Sequence, residues 1–518
     1  MTRTDLPQWD AVATVHRLDN AVQMKTNNLA EVLPRDLTAM GPAIIEVASD
    51  GASREIGHAQ MQDEADRMAA GLRAAGHARG ARIGILAGNS VNFFVSFLAI
   101  MRAGMIAVPI NFKLPRDTIT YIIGDAGISM MLVDAARADM VVGIPTVAID
   151  VGPAWAALLV HTPAESMTMG DDEVATILYT SGSTGQPKGV PLTHGGYIWV
   201  MQALLAAGAP FAGKRGLVAA PLYHMNALIQ SLLIAMQGGT TVLLMQFSAR
   251  LYIEAASKFR CQMVTAVPTM YALVAREVEC LARFDLSHVE SAKSGSAPVT
   301  EAMFAALANI FPNAATSNWW GTTESGPVAF GPHPQGLPRP TLALGYPMSG
   351  TEYKLTDGPH PDEGVLWVRC PAVSPGYLNL PAESAKRFQD GWYNTGDVMR
   401  RDENGYVYFV GRADDMFVCG GENIYPGEVE KLLEKHPGVL QAAVLPVADE
   451  IKGQIPAAFI VRCPGFDTTI DDIKQFALAH GPAYQHPRFV EFIDEMPLAG
   501  TNKIDKRVLV QRAARFSR

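Results

Sequence analysis

Residues 179–190 read YTSGSTGQPKGV, with Thr193 and His194 close behind. Gly182, Gly185 and Gly189 let the backbone turn sharply and approach an anion closely. Thr180, Ser181, Ser183 and Thr184 supply hydroxyl donors, and Lys188 adds a positive charge. The stretch before it, VATILYT at 174–180, has the β-branched character of a strand. A strand feeding a turn rich in glycine and hydroxyls, and ending in lysine, reads as a phosphate loop whose composition suits a triphosphate. It is not the Walker loop, because Gly189 follows Lys188 where Ser or Thr should stand, and the glycine spacing ahead of it is too short. A Ser/Thr/Gly run alone is more often a surface loop; Pro187, Lys188 and the strand turn the reading toward anion binding.

The rest of the chain sets bounds on that reading. At 518 residues it is too long for one compact core and should hold roughly three or four lobes. With 48% apolar and 18% charged residues it has a globular composition, which excludes disordered and fibrous classes. The net charge of -9 argues against nucleic acid or an anionic membrane as the main partner, so a phosphate-bearing ligand must be held by local geometry. The five cysteines, Cys261, Cys280, Cys370, Cys419 and Cys463, are widely spaced without CxxC pairing, as expected of reduced thiols in a cytoplasmic compartment with no cysteine metal site. The amino terminus, MTRTDLPQWDAV, lacks the apolar segment of a secretion signal. The most hydrophobic stretch, 83–110, is interrupted by Asn89, Asn92 and Arg102 and reads as buried strand, helix, strand, so no integral membrane segment is expected.

Short β-branched runs alternate with helical patterns through the first 400 residues: strand 83–86 with helix 91–102, strand 241–245 with helix 248–259, strand 263–267 with helix 269–278. This alternation predicts an α/β fold with two mainly parallel sheets covered by helices. The segment 350–377 predicts a smaller β-rich lobe, with strands at 352–355 and 365–369 separated by DGPHPDEG. After Gly411 a compact α+β unit begins, with helices at 426–435 and 470–480 and strands at 441–446, 457–462 and 488–493. The boundary falls near 412–415, dividing the chain into 1–411 and 412–518.

Four segments in order resemble the adenylate-forming superfamily, in its acyl-CoA synthetase and aryl-CoA ligase branch, whose relatives include luciferases and peptide-synthetase adenylation domains. They are YTSGSTGQPKGV, WWGTTES at 319–325, YNTGD at 393–397 leading into GRADDMFVCGGENIYPGEVE at 411–430, and GTNKIDKRVL at 500–509. The resemblance implies an ATP-dependent ligase that joins a carboxylic acid to coenzyme A through an acyl-adenylate. Lys503 would bridge the acid carboxylate and the α-phosphate, offsetting charge at the point of attack; Lys506 and Arg507 fit solvated terminal residues better. Glu324 would ligate Mg2+, whose hard oxygen preference suits one carboxylate plus ATP phosphates, with Thr184 and Thr323 donating to the phosphates. Asp397 would accept the ribose hydroxyls, helped by Arg412. The family's usual Tyr before the Gly of this motif is Trp320 here, still able to stack on a purine beside Gly321, with Gly295, Ser296 and Ala297 as the facing wall and Asn318 reading the adenine amino group. Gly420 and Gly421 would leave room for pantetheine, and Asp414 resembles the hinge on which a mobile C-terminal unit swings between half-reactions.

The acid itself is less legible. His224 resembles the gate beside the carboxylate, and Met225, Asn226 and Ala227 follow where amino-acid-activating relatives place an Asp. A neutral small-molecule acid is expected, with Met225, Pro327, Val328 and Phe330 fitting an aryl, hydroxycinnamate-like group or a short to medium acyl chain, and Trp319 lining its pocket. Two alternatives stand beside the ligase: a stand-alone module loading a carrier protein, disfavoured because no carrier domain follows Lys503, and a non-catalytic binding protein of the same fold, disfavoured because Lys188, Glu324, Asp397 and Lys503 are all present. The oligomeric state, a homodimer included, is left open.

Overall fold

The computed structural model describes residues 27–35, 41–150, 152–180, 186–208, 211–297, 299–326, 329–498 and 504–516. The two helix-covered sheets expected from the alternating pattern are present. One takes its strands in the order Ala315–Trp319, Ser291–Gly295, Met263–Ala266, Arg215–Val218, Thr240–Leu244, Pro42–Val47 and Ser53–Gly57. Every neighbouring pair in it is parallel except the last. The second runs Thr146–Ala148, Ile128–Val133, Arg82–Leu86, Ile106–Pro109, Val174–Thr180 and Lys188–Thr193, and is parallel until its last pair. That final antiparallel pair, Thr180 opposite Lys188, brackets the phosphate-loop sequence.

Buried polar residues in the apolar stretch are matched by partners, as a low-dielectric interior requires. The Asn89 amide donates to the carbonyls of Ala220 and Leu244, both at 3.0 Å, and its oxygen accepts from the Leu222 N–H at 2.7 Å. Arg102, wholly shielded from solvent, ion-pairs with Asp66 at 3.0 Å and Glu31 at 3.1 Å. The helix Val91–Arg102 begins where Ser90 Oγ accepts the Phe93 N–H. Among the described residues no helix is long and apolar enough to cross a membrane.

The β-rich lobe is an antiparallel sheet of Glu352–His360, Glu363–Arg369, Trp392–Arg401 and Phe388–Gln389, with Val407–Arg412 added along Trp392–Arg401. Its first two strands run further into DGPHPDEG than the turn residues suggested, and the register shift between Thr356 and His360 absorbs the extra length. Beyond it, the short 3-10 turn Ala413–Asp415 leads to a sheet built on the hairpin of Val439–Asp449 and Gly453–Arg462, with Phe489–Phe492 lying parallel at its edge. Pro426–Leu433 and Ile470–His480 supply the two expected helices, and this unit has an apolar core of its own around Val444, Phe459 and Leu509.

Candidate active site

The C-terminal edges of parallel strands are where α/β sheets place ligands, and Ser291–Gly295 and Ala315–Trp319 end side by side, Gly295 opposite Trp319. A β-carbon on Gly295 would lie 2.7 Å from the Trp319 carbonyl oxygen, so only glycine fits this close approach. The next residue, Ser296, sits at φ +65, a left-handed conformation that turns the chain across the strand edge. A cleft of about 1340 Å³ opens there, and Thr180, Lys188, His224, Asn318, Glu324 and Asp397 all reach it. Gly295, Ser296, Ala297, Trp320, Gly321, Thr323, Arg412 and Asp414 line it as well. Ser181, Gly182, Ser183, Thr184, Gly185 and Lys503 lie outside the described residues, as do Pro327 and Val328.

Asp397 is buried on the strand Trp392–Arg401, and both of its oxygens carry protein donors. Arg412 Nη1 reaches Oδ1 at 2.6 Å, and the Trp320 indole Nε1 donates to Oδ2 at 2.6 Å. Asp397 is therefore already oriented by the protein, with lone pairs remaining for further donors. Trp320 differs from a simple stacking wall in the same way, since its nitrogen is tied to Asp397 and its ring leans on Phe330 at 5.6 Å. From Arg412 the charge chain continues to Asp414 at 3.4 Å, which Arg387 also holds at 2.9 Å. Burial would disfavour the Arg412 charge, but the Asp397 and Asp414 carboxylates outweigh it and hold its pKa above the usual value.

Glu324 lies half-buried, and desolvation pushes its carboxyl above the ordinary carboxylate range although Tyr377 donates to Oε1 at 3.1 Å. A cation in the cleft would oppose that shift and restore the ionised form. Among the described residues no group of three or more His, Cys, Asp or Glu is placed to hold a metal ion. A single carboxylate fits Mg2+, which keeps most of its ligands as water and phosphate oxygen, and would not fit a metal needing a protein cage. Lys188 Nζ lies 5.1 Å from the Tyr377 ring centre and 3.0 Å from the Glu383 carboxylate. Lys386 first, then Lys188, hold Glu383 down to about 2. Neither Tyr377, Glu383 nor Arg387 was foreseen; they belong to segments without motif character.

On the acid side, His224 precedes the helix Met225–Met236 and packs against Tyr223 with ring centres 4.6 Å apart. Met225, Asn226 and Ile229 line the cleft, as does Trp319, whose indole donates to Ser317 Oγ at 2.8 Å. Phe330 does not reach it. Its strand pairs with Tyr346–Pro347 and its ring packs beside Tyr353, which puts it in the core of the β-rich lobe. Lys293, unremarked in the sequence, lines the cleft instead.

The C-terminal unit reaches the cleft through Ile504 and Lys506. Lys506 is not the solvated terminal residue expected from its position. It ion-pairs with Asp415 at 3.1 Å, and Glu430 lies 3.9 Å away. Burial, which opposes its charge, is outweighed by those carboxylates, so its pKa is raised. Arg507 remains exposed beside Asp505, as expected. Gly420 and Gly421, at φ +60 and +93, form the tight turn between Phe417–Cys419 and Glu422–Ile424 and are not brought to the cleft.

Comparison with known proteins agrees with this geometry. Residues 35–378 match the family described as AMP-binding enzyme, and 428–503 match the AMP-binding enzyme C-terminal domain. The chain belongs to the AMP-binding enzyme family. A feruloyl-CoA synthase of Amycolatopsis sp is 32% identical over 455 residues, 87% of this chain and 92% of that one. The fatty acid–[acyl-carrier-protein] ligase ScoC of Streptomyces coeruleorubidus is 29% identical over 478 residues, covering 89% and 92%. Among solved structures, the anthranilate CoA ligase AuaEII in complex with anthranoyl-AMP superposes with a TM-score of 0.84 at 26% identity, over 94% of this chain and 98% of that one.

Proposed function

We propose that this protein is a cytoplasmic ATP-dependent ligase that converts an aryl carboxylic acid, hydroxycinnamate-like in shape, to its coenzyme A thioester. One observation carries this reading: a single cleft joins a polar end, with Lys188, Glu324, Asp397 and Arg412, to an apolar end lined by Met225, Ile229 and Trp319. A carboxylate is a poor acyl donor because it is negative and lacks a leaving group. Its oxygen attacks the α-phosphorus of ATP and pyrophosphate departs; the thiol of coenzyme A then attacks the acyl carbon, gives up its proton, and AMP leaves carrying that oxygen.

In this scheme Lys188, Thr180, Ser181, Ser183, Thr184 and Thr323 hold the triphosphate, with Gly182 and Gly185 allowing the approach. Asp397, held by Trp320 and Arg412, takes the ribose. Gly295, Ser296, Ala297 and Asn318 frame the adenine, and His224 flanks the acid carboxylate. Lys503 offsets the charge gathered where carboxylate meets α-phosphate. Glu324 would hold Mg2+, which when bound would neutralise phosphate charge. We assign residues 1–411 to the ATP- and acid-binding domain and 412–518 to a mobile domain hinged at Asp414, which later presents Gly420 and Gly421 to the thiol. Free thiols at all five cysteines support a reducing compartment.

The similarity to ScoC favours a second reading, transfer to a carrier protein. Pyrophosphate release across aryl, straight-chain and amino acids, followed by transfer to coenzyme A or to a holo acyl carrier protein, tests both. Aryl acids with coenzyme A should give the highest kcat/KM. Amino acids activated as well as cinnamate, or transfer confined to the carrier, would overturn the proposal.

Trp320→Phe keeps an aromatic face for the purine but removes the donor to Asp397. A hydrogen bond to a charged group contributes about 1.5 to 3 kcal/mol, so the KM for ATP should rise roughly 10- to 100-fold while the KM for the acid stays put. An unchanged KM for ATP would show that the indole does not position Asp397.

A further inference from the structure

The segment from Gly376 to Arg387 gathers charge beside the phosphate-loop lysine. The Leu378 N–H donates to the Gly189 carbonyl at 2.8 Å, which fixes the segment against the strand Lys188–Thr193. Ser384 Oγ accepts the Tyr377 N–H at 2.8 Å, which closes the segment onto the short helix Pro381–Arg387. Glu383 on that helix takes a lysine on each oxygen: Lys188 Nζ lies 3.0 Å from Oε2, and Lys386 Nζ lies 2.5 Å from Oε1. The two lysines differ in their surroundings. The Lys188 side chain is 12% exposed and lines the cleft, whereas Lys386 is 69% exposed and, like Glu383, is not among the residues that line it.

Two cations thus share one carboxylate, and one of them can leave without stranding it. When the Lys188 ammonium turns to a phosphate oxygen, Glu383 keeps Lys386 and water; when the phosphate departs, Lys188 returns to Glu383. Neither position leaves a poorly hydrated charge unpaired, which is the arrangement that costs most. The Tyr377 ring, its centre 5.1 Å from Nζ, gives the ammonium an uncharged neighbour that does not compete for its donors.

Resting on the ligase reading above, we infer that Glu383 is a positioning residue that competes with the phosphates for Lys188 and so hastens the departure of pyrophosphate once the acyl-adenylate has formed. ATP is held through its adenine and ribose as well, whereas pyrophosphate has only the phosphate end of the cleft, so the competition weighs most on the product. Lys386 sets its strength from outside the cleft, by offsetting part of the charge that draws Lys188 back.

The test measures inhibition of thioester formation by inorganic pyrophosphate in the natural chain, Glu383→Gln and Lys386→Met, using the carboxylic acid that the natural chain turns over best. Glu383→Gln removes the competing charge at nearly constant shape and should lower the pyrophosphate inhibition constant about three- to tenfold. Lys386→Met leaves Glu383 with Lys188 alone and should raise that constant about two- to fivefold. The KM for the acid should stay put in both. Opposite signs separate this role from a merely structural one, because damage to the segment weakens pyrophosphate binding in both variants. An inhibition constant that stays unchanged or rises in Glu383→Gln, or one that fails to rise in Lys386→Met, would overturn the inference. A natural chain that forms no thioester from any carboxylic acid would instead overturn the ligase reading on which it rests.

Discussion

Lys503→Ala is expected to lower acyl-adenylate formation by about 100- to 1,000-fold, the effect of removing one preorganised charge partner from a developing anion. Thioester formation from a preformed acyl-adenylate should be nearly spared. The asymmetry follows from charge: before attack, the carboxylate and the α-phosphate are both negative and must be brought together, whereas the adenylate has already joined them. Ile504 and Lys506, which follow Lys503 in sequence, line the cleft. Rapid-quench measurement of each half-reaction separates the two rates. Equal losses in both would assign Lys503 a structural part, and no loss in either would remove it from the chemistry.

Asp397→Ala should be the most damaging change outside that lysine. It takes away the proposed ribose acceptor and strands two donors, the Trp320 indole and the Arg412 guanidinium. The Arg412 side chain is 40% exposed and rehydrates, which keeps the stability cost below the ~3 to 5 kcal/mol of breaking a fully buried pair. Catalysis has no such relief, and kcat/KM for ATP should fall at least about 100-fold. Asp397→Asn retains one acceptor oxygen and should lose less. Steady-state kinetics with a thermal melt of each variant distinguishes the two effects; a large fall in melting temperature with intact ATP kinetics would make Asp397 a structural residue.

What the sequence made legible was what local pattern encodes. The helices Val91–Arg102 and Ile470–His480 carry their apolar residues in sequence, with their caps Ser90 and Thr469 immediately before them, and emerged with their bounds intact. The strand leading into the phosphate loop was equally local, whereas the return strand Lys188–Thr193 that pairs with it was not anticipated. Contacts between distant segments were not legible. Lys188 meets Glu383 across 195 residues, and Trp320 meets Asp397 across 77, so neither partner is marked by its neighbours in sequence. Phe330 was misplaced because an apolar residue after Glu324 suits a pocket or a core equally well, and pairing with Pro347 decides for the core. Lys506 was misread because a lysine near a chain end is usually solvated, whereas Asp415 and Glu430 close around this one. Lys293 gave no signal beyond its charge, since its place in the cleft is set by the rings of Phe211 and Trp319.

The central claim, that the acid's own oxygen is passed to the nucleotide before the thiol arrives, can be followed atom by atom. Supply 4-hydroxycinnamate labelled with 18O in both carboxylate positions, together with ATP, Mg2+ and coenzyme A, and analyse the nucleotide by mass spectrometry after a single turnover. The account predicts AMP carrying one 18O per thioester formed, with pyrophosphate unlabelled. Label in inorganic phosphate with ADP as co-product, or thioester formed with unlabelled AMP, would contradict it.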